Sequence, residues 1–155
     1  MATWIEPIYD RSQTDVERLK QLNAKGYYNL TPEEKQEWLG DSKGALNKSD
    51  LSRIENNIKV IYDMLGEDKA VVTYPEIPNV SYYTALRGRV ADVRTKAFAA
   101  LYCDKTVPEQ PLNYFEKWND IERILFEIHR VLEENAKAFL YCMEDAELYC
   151  DSGVI

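Results

Sequence analysis

The chain has 155 residues, 45% of them hydrophobic and 30% charged, the size and mixture of one folded domain that can bury a core without disulfides or metal. Its 27 acidic residues outnumber its 19 basic ones for a formal charge of -8, and the basic residues are scattered, which argues against a nucleic-acid backbone or an anionic membrane surface as partner. No apolar run approaches the roughly 18 residues of a membrane span, and Met1 to Pro7 has neither the basic nor the apolar region of a secretory signal, so the protein is expected to be made and kept on the cytoplasmic side unless something else releases it.

Residues 1–12 read as an extended arm, because Trp4, Ile5, Ile8 and Tyr9 precede the first helix cap and follow no helical period. Thr14 with Glu17 predicts a helix from about Thr14 to Lys25, stopped by Gly26. Thr31 with Glu34, and Pro32 at the first helical position, predicts a second from Pro32 to Leu39, stopped by Gly40. In each pair the hydroxyl accepts from an orphan amide of the first turn and the acid returns the bond three residues on. Both helices are short and polar, and are expected to lie on the bundle without forming its core.

Asn47 with Asp50 opens a third helix, on which Leu51, Ile54, Ile58, Ile61 and Leu65 recur at alternating steps of three and four. After the proline-bearing stretch Tyr74 to Val80, the residues Tyr83, Leu86, Val90, Val93, Ala97 and Ala100 repeat the pattern. Gly88 interrupts it at a cost of about 1 kcal/mol relative to Ala. The run Asp104 to Leu112 breaks the helix again, and Asn113 with Glu116 opens the last one, carrying Trp118, Ile121, Leu125, Ile128 and Leu132. One apolar stripe per helix cannot be buried by that helix alone. The prediction is an all-α fold: a bundle of three long amphipathic helices with two shorter N-terminal helices, occupying residues 13–138.

Leu51 to Leu65 superposes on Trp118 to Leu132 at a constant offset, with a shared Ile-Glu pair and a shared Asn cap. A duplication and the ordinary likeness of two amphipathic helices are both open. The tail, residues 139–155, also has two readings. Phe139, Met143 and Ala146 continue the last helix, or Leu140-Tyr141-Cys142 and Leu148-Tyr149-Cys150 form a short β-hairpin around Glu144-Asp145.

Little in the chain promises catalysis. The six glycines do not cluster before a Gly-Lys-Ser/Thr, as a phosphate loop requires. Cys103, Cys142 and Cys150 have no zinc-knuckle spacing and read as reduced, small apolar side chains. His129 is the sole histidine and stands beside the Leu125-Ile128-Leu132 stripe, where a flanking imidazole hydrogen-bonded to a neighbour is expected. Glu33-Glu34, Glu133-Glu134 and Glu144-Asp145 are adjacent pairs, which diverge on a helix and cannot bracket one bond. No catalytic residue, metal or cofactor is therefore expected. The 11 tyrosines and three tryptophans suit either protein interfaces or plugs for the open ends of the bundle.

Several strings carry polar residues that amphipathicity does not demand. Trp4-Ile5-Glu6-Pro7-Ile8-Tyr9-Asp10-Arg11 is followed by Leu30-Thr31-Pro32-Glu33-Glu34, Glu37-Trp38-Leu39 and Gly44-Ala45-Leu46-Asn47. Next come Asp50-Leu51-Ser52-Arg53-Ile54-Glu55-Asn56-Asn57-Ile58, Ser81-Tyr82-Tyr83 and Ala85-Leu86-Arg87. Val107-Pro108-Glu109-Gln110-Pro111-Leu112-Asn113 and Lys117-Trp118-Asn119-Asp120-Ile121-Glu122 complete the series. In this order they resemble the helical module of phage and prophage tail-associated structural proteins of gut bacteria, over nearly the whole chain. The resemblance implies a virion component near the tail tip or its appendages, with no catalytic residues to carry over. Family members often end in short Gly-Glu strands. Here Asp145 to Asp151 stands in that place without the glycines.

The expectation is a non-enzymatic virion protein that assembles with itself, as a homo-oligomer, and with other tail proteins, without nucleic acid or membrane. Trp4, Ile5, Ile8, Tyr9, Tyr141 and Tyr149 are its candidate interface residues, because apolar arms flanking a compact domain are placed to pair with a neighbour. An intracellular helical regulator that binds a partner helix along an apolar stripe is the rival reading. A hydrolase using His129 is a distant third, since it needs a nucleophile brought near in space.

Overall fold

The three apolar stripes each require a partner, and the fold supplies it by bringing the long helices together. The computed structural model describes residues 2–150, with side chains described as far as Ala138. The helices are α1 (Gln13–Lys25), α2 (Pro32–Leu39), α3 (Lys48–Met64), α4 (Val80–Lys96) and α5 (Phe115–Cys150), with short 3₁₀ turns at Tyr27–Asn29 and Ala99–Leu101. No described residue lies in a strand, so the fold is all-α. α5 runs unbroken to Cys150, so between Leu140 and Cys150 the backbone takes the helical reading of the tail instead of the hairpin. Nothing there forces a turn: Glu144-Asp145 lacks the glycine or proline that a tight hairpin draws on.

Leu51, Ile54, Ile58 and Ile61 of α3, Leu86, Val90 and Val93 of α4, and Trp118, Ile121, Leu125 and Ile128 of α5 are buried in one core. Leu65, Tyr83 and Leu132 border it, whereas Ala100 lies past the end of α4 and is exposed. α1 buries only Leu22 and α2 buries no residue, so the short helices lie beside the core.

All three long helices run parallel. Tyr82 and Arg89 of α4 reach Glu55 of α3, and further along Tyr62 of α3 reaches Asp92 of α4. Tyr83 and Trp118, both in the opening turns of their helices, pack edge-on with ring centroids 5.8 Å apart. Arg53, early in α3, meets Glu122, early in α5. Parallel neighbours cannot be joined by tight turns. The proline-bearing stretches, Tyr74 to Asn79 just before α4 and Asp104–Leu112, therefore lie in two long connections that carry the chain back to the starting end each time.

Two helix starts differ from the sequence reading. α1 is capped by Ser12 with Asp15 instead of Thr14 with Glu17: Asp15 Oδ2 accepts from the Ser12 amide at 2.8 Å. Both pairs have the right spacing. The choice follows from Arg11, whose main chain is held extended by Asn119, so Ser12 is the first residue free to turn. α5 begins at Phe115, one residue later than an Asn113 cap would place it. α4 has a cap the pattern did not single out, Asn79 Oδ1 accepting from the Tyr82 amide at 2.9 Å.

Leu125 is fully buried, and replacing it with Ala is expected to cost about 2–5 kcal/mol in urea unfolding. A loss below about half a kcal/mol would mean that the stripe is not core. A Cβ at Gly88 meets nothing within 4 Å, so Gly88→Ala should raise stability by about 1 kcal/mol.

Candidate functional site

The principal site-like construction is a groove between α3 and α5 that holds the N-terminal arm. The arm runs antiparallel to α5: Arg11 lies at Asn119, Ile8 at Glu122, Tyr9 at Phe126 and Trp4 at His129. Two asparagines grip its backbone. Asn57 accepts from the Ile5 amide at 3.0 Å and donates to the Ile5 carbonyl at 2.7 Å. Asn119 does the same for Arg11, accepting at 3.2 Å and donating at 2.8 Å. A side-chain amide thereby supplies the donor and acceptor that a neighbouring strand would offer. Asn56 donates to the Thr3 carbonyl at 2.7 Å, and Glu122 Oε2 accepts from the Ile8 amide at 2.7 Å.

Beneath the arm lies a closed set of four charges, Arg11, Asp50, Arg53 and Glu122, all buried. Arg11 Nη2 is 2.9 Å from Asp50 Oδ1 and 2.8 Å from Glu122 Oε1. Arg53 Nη2 is 2.6 Å from Asp50 Oδ1 and 2.8 Å from Glu122 Oε1, and Arg53 Nε adds a bond to Glu122 Oε2 at 2.9 Å. The remaining Asp50 oxygen accepts from the Asn47 amide at 2.8 Å, and Arg11 also donates to the Ile8 carbonyl. Burial by itself would raise the Asp50 carboxyl, but the Asn47 amide and the two guanidinium groups hold it below its ordinary value. Burial likewise opposes the charge on Arg53, and bonds to Glu122 and Asp50 override it and raise the pKa. Two positive and two negative charges cancel, which is what permits them to leave water together.

A third buried carboxylate, Glu55, occupies the position on α3 that Glu122 has on α5. It accepts from the Tyr82 hydroxyl at 2.9 Å and pairs with Arg89. Burial and the Glu55 charge raise the Tyr82 phenol strongly. Farther along, burial and the Asp92 carboxylate push Tyr62 up to about 12.

His129 forms the far end of the groove, and its neighbour is a ring instead of a hydrogen-bond partner. Trp4 stacks on it with centroids 3.9 Å apart and planes 8° from parallel. Burial lowers its pKa, against the opposing charges of Glu133 and Glu6. Among the described residues no group of three or more His, Cys, Asp or Glu side chains is placed to hold a metal ion, and no helix is long and apolar enough to cross a membrane.

Of the candidate interface residues, Trp4, Ile8 and Tyr9 are half-buried on the chain's own bundle, and Ile5 is 47% exposed although its backbone is gripped. The side chains of Tyr141 and Tyr149 lie outside the described residues. The residues that build the groove, Asp50, Arg53, Asn57, Asn119 and Glu122, were not candidates on sequence grounds. Their signal was present in the Arg-Ile-Glu-Asn-Asn-Ile and Trp-Asn-Asp-Ile-Glu strings, where polar residues border apolar stripes. The chain matches no family model, no curated protein and no solved structure. By its own chemistry the groove binds an extended backbone through three side-chain amides and one acid, and the arm's arginine through two ion pairs.

Replacing Arg11 with Met leaves a buried negative charge without its partner, and should cost about 3–5 kcal/mol in urea unfolding. Asn57→Ala removes both bonds to Ile5 and should cost about 1–3 kcal/mol. Values near zero for both would detach the arm from the stability of the bundle. His129 adds a pH dependence. Because its pKa is depressed on folding, the unfolded chain binds more protons near its ordinary pKa of about 6.5. Its contribution is complete above that pH and is lost as pH falls through the folded value. The melting temperature should therefore drop on acidification from neutral pH, and His129→Phe, which keeps a ring beneath Trp4, should flatten that slope.

Proposed function

We propose that the protein is a non-enzymatic structural component of a phage or prophage particle, associated with the tail or its appendages, acting through contacts with copies of itself and with other tail proteins. The observation that carries the reading is the use made of its reactive side chains. Asp50, Glu122, Arg11 and Arg53 close a neutral buried cluster, Glu55 is held by Tyr82 and Arg89, and His129 lies beneath Trp4. These groups hold backbone and helices together. An extended terminal arm held through its main chain is a device by which chains can be linked to one another. The resemblance of the ordered sequence strings to tail-associated helical modules supplies the tail as the setting.

Mass spectrometry of purified particles from an induced host tests the proposal. Peptides of this chain are expected at a fixed ratio to known tail proteins. Their confinement to the particle-free lysate would overturn it.

A further inference from the structure

We propose that the groove between α3 and α5 is a receptor for the N-terminal arm of a second copy of this chain, so that neighbouring copies exchange arms. The inference rests on the self-association reading above and names the surface that performs it.

The argument starts from charge. Without the arm, the groove retains Asp50, Glu122 and Arg53, two acids against one base, with one uncompensated negative charge. The missing cation is Arg11, which contacts both acids. An occupant that covers these three side chains must therefore bring a cation to that point, as Arg11 does. It must also be extended, to offer amides and carbonyls where Asn57, Glu122 and Asn119 wait for Ile5, Ile8 and Arg11. An aromatic ring over His129 completes the pattern. A second copy carries an arm that meets every one of these conditions.

The way the arm is attached to its own bundle also favours exchange. It leads directly into α1, and the α1–α2 unit adds little burial of its own: Leu22 is the only buried residue of α1, and α2 has none. The arm is thus a principal tie between this unit and the three-helix core. A tie made almost wholly of local contacts to α3 and α5 is the same whether its chain is this copy or the next, which is the condition for swapping an element between protomers.

The test uses the full chain and a fluorescent peptide of residues 2–12, followed by anisotropy. In the wild-type chain the resident arm competes, so capture is reduced by the fraction of grooves that stand open. Ile8→Pro removes the amide that Glu122 accepts while leaving the charge cluster intact. This variant is expected to capture the peptide about tenfold more tightly than the wild type does. A peptide with Arg11→Ala should be captured by neither. Equal binding of the two peptides, or no binding to a folded Ile8→Pro chain, overturns the proposal. Should the Ile8→Pro chain not fold alone, the wild-type peptide must restore its helical circular dichroism and the Arg11→Ala peptide must not; failure to restore it is also fatal. Light scattering on the wild type separates this proposal from the reading beneath it. Self-association without peptide capture leaves the assembly reading standing and moves the contact elsewhere, whereas a chain that stays monomeric at all concentrations overturns both.

Discussion

Four buried charges decide how this molecule is organised. Arg11, Asp50, Arg53 and Glu122 come from the arm, the start of α3 and the start of α5, and none of them would remain out of water without the others. Satisfying them fixes the spacing of α3 and α5 and the seat of the arm. The hydrophobic core provides most of the driving force for collapse, but leucine and isoleucine stripes tolerate sliding and rotation. Bidentate ion pairs and amide clamps do not, and they define a single alignment. The parallel course of the long helices adds to this. It collects their N-terminal ends on one side, where Asp50 sits in the first turn of α3 and its negative charge complements the positive ends of the aligned peptide dipoles.

The bundle was legible in the sequence because amphipathic periodicity is a local signal. The α3, α4 and α5 stripes each repeat within a few turns, and the Thr31 to Glu34 and Asn47 to Asp50 starts are contained in four residues. The direction of the helices was not legible. Whether Tyr74 to Val80 and Asp104 to Leu112 belong to turns or to long returns depends on where the next helix lies, which no window of sequence records. The cap at α1 was ambiguous for a related reason. Ser12 with Asp15 and Thr14 with Glu17 both fit, and the deciding contact comes from Asn119, more than a hundred residues away in the chain.

The groove was half legible. Asn56, Asn57, Asn119 and Glu122 stood out as polar residues that a helix face did not require, but their common object, the backbone of residues 3–11, is visible only when α3 and α5 lie side by side. The arm itself read as extended and apolar, which is how it is built. Its apolar residues suggested a partner elsewhere, and the structure seats Trp4, Ile8 and Tyr9 on the bundle of the same chain. The repeated Ile-Glu pair also acquires a physical meaning. Glu55 and Glu122 are both buried and both paired with arginine, from α4 in one case and from the arm and α3 in the other. The likeness between the two helices therefore extends to the use of the acid.

The groove joins parts of the chain that are synthesised far apart in time. The arm leaves the ribosome before the helices that hold it, and two of the groups that hold it, Asn119 and Glu122, lie on α5. The bond from the Ile8 amide to Glu122 spans 114 positions of chain. Domains emerge from their N-terminal side at a finite rate, so the arm must wait, unseated, while α1 to α4 are made. Once α3 is made, Arg53 has Asp50 beside it, but its second acid partner, Glu122 on α5, is not yet present. A nascent chain in a polysome, with sister chains at neighbouring stages beside it, closes its groove only when α5 arrives. On the arm-exchange proposal, which arm enters first then depends on the crowding of ribosomes on the message as well as on the finished structure.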